Sequence, residues 1–503
     1  FVFDRPNHIW VVAADGTGTP RDLTPGSHEH GSFCWTADSR NLVVSAGRHD
    51  TWDRDLASDL HLVSLSGDVT ALTHQTGIYS APSVSPDGTR VAFLGYDDPS
   101  LYPQNVMVGV LDLSSGERWW ATSTFDRTFE TTVGNVAPVW ESNTSILATA
   151  EDAGECHLMR IDATGHTAPI AITSGARCIK TFGEAGGVIA AAVTSVQQPA
   201  EIHVWANGSE RRLTHVSDEY IARVQPVGWE RFSVPVHNLT PGIETGVNDH
   251  IDAWIMRPRD FDPSRTYPVV LNVHGGPHTQ YGETYFDEFQ SQAAHGFVVI
   301  ACNPRGSSGR ENAWGQAIQG PKHPKRPGTG WGGADLEDVL SVLDTALERY
   351  TFCDRTRVGM QGGSYGGYMA TLLAARHGGR LKTVCTERSV NNLLTEEWSS
   401  DIGTMFRVEH GPTPVEDPHE YLRMSPSTMA ADIDIPVLIV HSEDDLRCPI
   451  SQAEELFITL RLMGKEVVFY RFPAETHELS RSGSPVHRRQ RFEIILDWFA
   501  DKL

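Results

Sequence analysis

A chain of 503 residues is too long for one ordinary hydrophobic core, so two or more domains are expected. Its 40% hydrophobic and 21% charged content is that of a globular protein, not a disordered one, and no run reaches the roughly 18 apolar residues of a membrane span. A net charge of −23 argues against a nucleic-acid partner, whose phosphates would be repelled, and suits uncharged or basic substrates.

The first residues, "FVFDRPNHIW", show neither an initiator Met nor a signal pattern and read as the middle of a fold. Residues 1–235 then repeat one plan. "HIWVVAADGTGTPRDLTPG", "DLHLVSLSGDVTALTHQTG", "NVMVGVLDLSSGERWWATST", "CHLMRIDATGHTAPIAITSG" and "EIHVWANGSERRLTHVS" each hold an alternating strand and a Gly/Asp/Ser turn. Each then runs into a second strand, most of them ending near Leu-Thr or Ile-Thr. The landmarks Leu23, Leu72, Ile172 and Leu213 imply a repeat of about 40–50 residues, and four strands per repeat predicts a β-propeller blade. A β-sandwich array is the competing architecture, but it seldom repeats one turn chemistry so regularly. About five blades are expected, the first incomplete. A propeller closes its last blade on its first to cover the edge strands, so a truncated N-terminus is expected. Seven cysteines without a CxxC pair read as buried thiols in a reducing cytoplasm.

From about Asp249 the pattern changes. "YPVVLNVHGG", "FVVIACNPRG", "RVGMQGGS", "LKTVCTERS", "PVLIVHSEDD" and "VVFYRFPAETH" are short Val- and Ile-rich runs separated by helical stretches such as "GADLEDVLSVLDTALERY". This alternation predicts, for residues 236–503, a mainly parallel sheet with helices on both faces. Functional groups in such sheets gather at the C-terminal ends of the strands.

Ser364 stands at such an end, in "QGGSYGGYMA". A serine in a cramped strand-to-helix turn needs hydrogens two residues to either side, and Gly362 and Gly366 supply them in the G-x-S-x-G pattern of a nucleophile elbow. A phosphate-binding loop would need G-K-[ST] or G-x-G-x-x-G, and neither is present. A serine hydroxyl also needs a base, which a carboxylate orients, and an α/β-hydrolase supplies them in the order Ser, Asp, His. His477 follows the last strand and is the expected base, ahead of His274, His441 and His487. Glu443, Asp444 and Asp445 are adjacent, and spacing does not separate them. Backbone N–H groups of Tyr365 and of the His274-Gly275-Gly276-Pro277 loop are the expected oxyanion donors.

The segments "HGGPHTQYG", "NPRGSSGR", "GWGGADLEDV", "GGSYGGYMA", "HSEDDLRCP" and "ETHELSRSG" together resemble the prolyl oligopeptidase family, specifically its acylaminoacyl-peptidase-like branch. The resemblance spans about 250 residues of this half, and an N-terminal propeller agrees with it. It implies Asp445 as the acid, standing before Arg447 and Pro449, and Gly276 N–H as the partner of Tyr365 N–H in the oxyanion hole. It implies that Arg447 binds a substrate carbonyl, against the plainer role of pairing with a carboxylate. Glu387 and Arg388 receive no role from it.

The resulting expectation is a cytoplasmic serine peptidase, Ser364–Asp445–His477, cleaving short peptides through an acyl-enzyme. The propeller would restrict access to oligopeptides; no metal or other cofactor, no nucleic acid and no membrane are expected, and a homo-oligomer is. Dipeptidyl aminopeptidase, carboxypeptidase-like and esterase activities are the alternatives on the same triad, and a non-enzymatic propeller scaffold is the alternative of another class. The basic residues Lys322, Lys325 and Arg326 in the 319–330 loop are read as solvated or as a substrate gate.

Overall fold

The computed structural model of the protein describes residues 5–132, 134, 136–236 and 250–503; Asp249 lies outside them. The chain divides into two compact units. One runs through Ser195 and takes in Pro199–Asp218 and Gly309–Asn312; the other takes in Val196–Gln198, Glu219–Ser308 and Ala313–Leu503.

The first unit is propeller-like, a succession of antiparallel meanders. Trp10–Val11 pairs with Arg21–Asp22. Four-stranded sheets follow over His30–Ala71 and Gly77–Trp120. Two further meanders, Val139–Ala171 and Cys178–Arg212, are joined by a single parallel pair, Cys156 with Cys178. The repeated Leu-Thr landmark has a physical basis. In every repeat the threonine hydroxyl accepts the N–H of a residue on a neighbouring strand: Thr24 from Ile9, Thr73 from Leu60, Thr122 from Val108, Thr173 from Leu158 and Thr214 from Ile202, all at 2.8–3.0 Å. The residue before each threonine donates its own N–H to the carbonyl of that same partner. The side chain thus pairs a backbone donor that the short outer strand leaves over, and an unpaired donor there would be costly.

The second unit is built on an eight-stranded sheet. Its strands are β1 (Trp229–Pro235), β2 (His250–Met256), β3 (Tyr267–Val273), β4 (Val298–Asn303), β5 (Cys353–Gly363), β6 (Thr383–Glu387), β7 (Val437–Ser442) and β8 (Val467–Phe472). They lie in the order 1-2-4-3-5-6-7-8, with β3 to β8 mutually parallel and β1 and β2 antiparallel at one edge. This is the α/β-hydrolase arrangement. β1 lies upstream of residue 236, where the expected domain begins, yet it pairs along its whole length with β2. Its alternation alone does not say which sheet it joins.

Both faces of the sheet are covered. Val269, Leu271 and Val273 of β3 pack in one cluster with Trp331 and with Val339, Leu343 and Leu372 of the helices α1 (Ala334–Arg349) and α2 (Tyr365–His377). Val270, one residue out of phase, packs on the other face with Phe297, Leu438 and Phe499, the last from α3 (Pro485–Lys502). That period-2 split explains why the parallel strands are apolar along their full length.

Candidate active site

β5 ends at Gly363 and α2 starts at Tyr365, leaving Ser364 between them at φ 61°, ψ −123°. A non-glycine residue is held there only when its surroundings enforce it. Ser364 N–H donates to Glu387 O at 2.9 Å, and Ser364 O accepts from Tyr368 N at 2.9 Å. A Cβ on Gly362 would lie 2.3 Å from Gly366 O, and one on Gly366 would lie 2.0 Å from Val273 O. Both are forbidden contacts, so the two glycines make the turn sterically admissible.

Beneath the turn lies a buried charge network that sequence reasoning missed. Arg491 donates from Nε to Glu387 Oε2 at 2.5 Å and from Nη2 to Glu387 Oε1 at 2.6 Å, and Nη2 also reaches Glu288 Oε1 at 2.7 Å. Gln361 donates to Glu387 Oε1 at 3.0 Å. Burial pushes the pKa of Glu288 up, whereas the Arg491 guanidinium outweighs burial at Glu387 and holds its carboxyl down. Glu387 closes β6 and Arg491 lies far along the chain on α3, so no local spacing signals the pair.

His477 and Asp445 meet. His477 Nδ1–H donates to Asp445 Oδ2 at 2.8 Å, and Asp445 Oδ1 accepts the backbone N–H groups of Arg447 at 3.0 Å and Cys448 at 2.9 Å. Burial pushes the Asp445 carboxyl up. Burial together with the guanidinium charges of Arg388, Arg481 and Arg447 pushes the His477 imidazole down to about 2, so it is neutral with its Nε2 lone pair available. Arg388, partly exposed and at φ 36°, donates from Nη1 to Ser480 Oγ at 2.8 Å. Among the described residues Ser364 Oγ forms no hydrogen bond with His477; its polar neighbour is Cys448 Sγ at 4.0 Å.

The other candidates are occupied elsewhere. Glu443 pairs with Arg471 at 3.1 Å, and Asp444 is exposed. His441 Nε2 donates to Cys448 O at 2.8 Å and also lies 3.5 Å from Asp445 Oδ2, behind the acid, and His487 Nδ1 meets Glu475 at 2.7 Å. His274 bridges Gly275 O and Ser307 Oγ at 2.7 and 2.9 Å, and burial pushes it down to about 4, which keeps it neutral.

Tyr365 opens α2, so its N–H is one of the helix-start donors without an intrahelical acceptor. The loop of Gly275 and Gly276 touches the nucleophile: a Cβ on Gly275 would lie 3.3 Å from Ser364 Cβ, and Gly276 has φ 122°. Arg447 makes a two-pronged ion pair with Asp401, Nε–Oδ1 2.5 Å and Nη2–Oδ2 3.2 Å, so its plainer role is realised here. In the 319–330 loop, Lys322 pairs with Asp417 at 2.7 Å, while the N–H groups of Lys325 and Arg326 reach His323 Nδ1. No helix among the described residues is long and apolar enough to cross a membrane.

Residues 283–503 match the prolyl oligopeptidase family. The uncharacterized peptidase YuxL of Bacillus subtilis (strain 168) is 38% identical over 317 residues, 62% of this chain and 45% of that protein. Dipeptidyl-peptidase 5 of Porphyromonas gingivalis is 26% identical over 88% of this chain and 63% of its own length. The chain therefore spans about half to two-thirds of these relatives. Among solved structures, the uncomplexed acylaminoacyl peptidase of Pyrococcus horikoshii superposes with a TM-score of 0.83 at 25% identity, over 98% of this chain and 74% of that one. A puromycin-hydrolyzing peptidase of Mycobacterium tuberculosis, 15% identical, shares the fold with a TM-score of 0.73 over 97% of this chain and 81% of its own. The hydrolase sheet, the turn at Ser364 and these matches agree: over residues 283–503 the α/β unit matches the prolyl oligopeptidase family.

Proposed function

We propose that this chain hydrolyses short peptides as a serine peptidase, through an acyl-enzyme on Ser364. The observation that carries the reading is the 2.8 Å His477–Asp445 bond beside a serine held at φ 61°. In the proposed step, Ser364 Oγ attacks the peptide carbonyl carbon and its proton passes to His477 Nε2. Asp445 keeps Nδ1 protonated and stabilises the imidazolium that forms. The carbonyl oxygen takes up the negative charge and is met by the N–H groups of Tyr365 and Gly276. His477 then protonates the leaving amine, and water, activated by the same imidazole, releases the acid and restores the serine. Arg447, beyond its bond to Asp401, is assigned a supporting hydrogen bond to a substrate carbonyl.

The same reading takes residues 1–235, less the strand Trp229–Pro235 that pairs into the α/β sheet, as a β-propeller and the rest through residue 503 as the catalytic domain, acting on short peptides in the cytoplasm as a homo-oligomer. Seven free cysteines, six of them buried, support a reducing compartment. Sedimentation of the purified chain tests the assembly state.

Ser364→Ala tests the activity: it is expected to lower hydrolysis of N-acetylated aminoacyl p-nitroanilides by about 10³-fold or more. A variant as fast as the parent would refute the mechanism. Relatives named dipeptidyl-peptidase 5 support a second reading on the same triad. Faster cleavage of free-amine dipeptidyl substrates than of their N-acetylated forms would select it.

A further inference from the structure

Glu396 lies on the short helix α4 (Leu393–Ser399, which precedes α3 in the chain) and is 1% exposed, yet among the described residues no nitrogen or oxygen donor bonds either of its carboxylate oxygens, and the one donor beside it is the weak Cys448 thiol. Leaving such a group unpaired in a protein interior is costly, so an unpaired buried carboxyl asks for an explanation. The Cys448 thiol stands between it and the nucleophile as their common neighbour. The groups acting on it are the Cys448 thiol and the charges of Asp445, Asp401 and Arg447, and Cys448 Sγ is the atom 4.0 Å from Ser364 Oγ. The neighbouring acids are already engaged: Asp401 holds Arg447, and Asp445 holds His477 and two backbone N–H groups. Of these three acids, Glu396 is the one that no nitrogen or oxygen donor bonds among the described residues.

The helix that carries it is fixed at both ends to the segment bearing Asp445 and Cys448. At its start, Gln452 Oε1 accepts from Asn391 N and Asn392 N at 2.8 and 2.7 Å. At its end, Ser400 Oγ donates to Arg447 O at 2.6 Å and Asp401 N donates to Leu446 O at 2.9 Å. The carboxyl is therefore a preplaced group, not one that swings to solvent.

Resting on the peptidase reading above, we infer that Glu396 is a specificity residue that receives the cationic side chain, arginine before lysine, of the residue whose carbonyl Ser364 attacks. A guanidinium brings the forked pair of N–H donors that the two carboxylate oxygens lack. Burial holds the empty carboxyl's pKa up, and an incoming cation draws it back to the carboxylate. Short apolar side chains leave it unpaired.

The test uses the whole chain and N-acetyl-glycyl-X p-nitroanilides, with X arginine, its neutral isostere citrulline, lysine or phenylalanine, alongside fluorophosphonate labelling of the same sample. Arginine is expected to exceed citrulline in kcat/KM by about a hundredfold. In Glu396→Gln that ratio is expected to fall to near one, whatever the absolute rate of the variant. An arginine-to-citrulline ratio near one in the parent chain overturns the inference without need of the variant, as does a ratio that Glu396→Gln leaves unchanged. A Glu396-dependent preference for a free α-amine, with no preference among side chains, also overturns it. If the parent chain is labelled but indifferent to charge, only this inference falls; if it is neither labelled nor active on any of the substrates, the peptidase reading falls with it.

Discussion

Arg491 grips both carboxylate oxygens of Glu387, at 2.5 and 2.6 Å, directly behind the strand end whose carbonyl receives Ser364 N–H. The pair is buried, so removing one member strands the other's charge. Arg491→Met is expected to destabilise the α/β unit by about 3–5 kcal/mol, read as a lower melting temperature of that unit. Arg491→Met combined with Glu387→Gln should cost less than the two single changes added together. Additive costs would show that the pair is not coupled.

The turn around Ser364 makes a steric prediction with its own control. Gly366→Ala places a Cβ 2.0 Å from Val273 O, whereas a Cβ on Gly378, at φ −54°, meets nothing within 4 Å. Gly366→Ala should abolish activity and lower stability by several kcal/mol, while Gly378→Ala should stay within about 0.5 kcal/mol of the parent. Equal melting temperatures for the two variants would contradict the steric account.

A histidine whose pKa lies below 6.5 in the folded chain stays a neutral base as pH falls through that value. The acid limb of kcat/KM is therefore expected well below pH 6.5. Arg388 is one of the cations that depress His477, so Arg388→Met should move the limb upward, toward 6.5. A limb that does not respond to Arg388→Met would remove that cation from the account.

Glu409 carries the opposite sign. It accepts from Trp331 Nε1 at 2.8 Å, and burial pushes its pKa from 4.5 to about 8. Between those values the folded chain holds a proton that the unfolded chain has released, so the stability from this group is present below pH 4.5 and lost as pH rises toward 8. Glu409→Gln removes the proton. Its stability relative to the parent should therefore improve with pH over this window, by up to about 1.4 kcal/mol per unit. Urea unfolding at a series of pH values checks the slope; parallel lines for parent and variant would contradict it.

What the sequence displays and what it hides divide along physical lines. The glycine spacing around Ser364 is legible because the steric demand is local, two residues to either side. Spacing does not choose among Glu443, Asp444 and Asp445, because consecutive side chains in a turn diverge; the family resemblance implies Asp445, and the fold turns it inward while Glu443 meets Arg471. The Glu387–Arg491 pair and the unpaired carboxyl of Glu396 are invisible to spacing, since both depend on burial created by segments far apart in the chain. The Leu-Thr repeats are visible as a pattern, but their cause, a hydroxyl accepting an N–H from a neighbouring strand, is a property of the folded sheet. β1 shows the same limit: a lone alternating strand does not name its partner.

The central claim is that Ser364 becomes the acylated atom. Fluorophosphonate treatment of the whole chain, followed by peptide mass mapping, tests it directly. The account predicts one adduct, on Ser364, that is lost in Ser364→Ala and forms far more slowly in His477→Ala. An adduct on another residue, or labelling of Ser364 at an unchanged rate when His477 is removed, would contradict it.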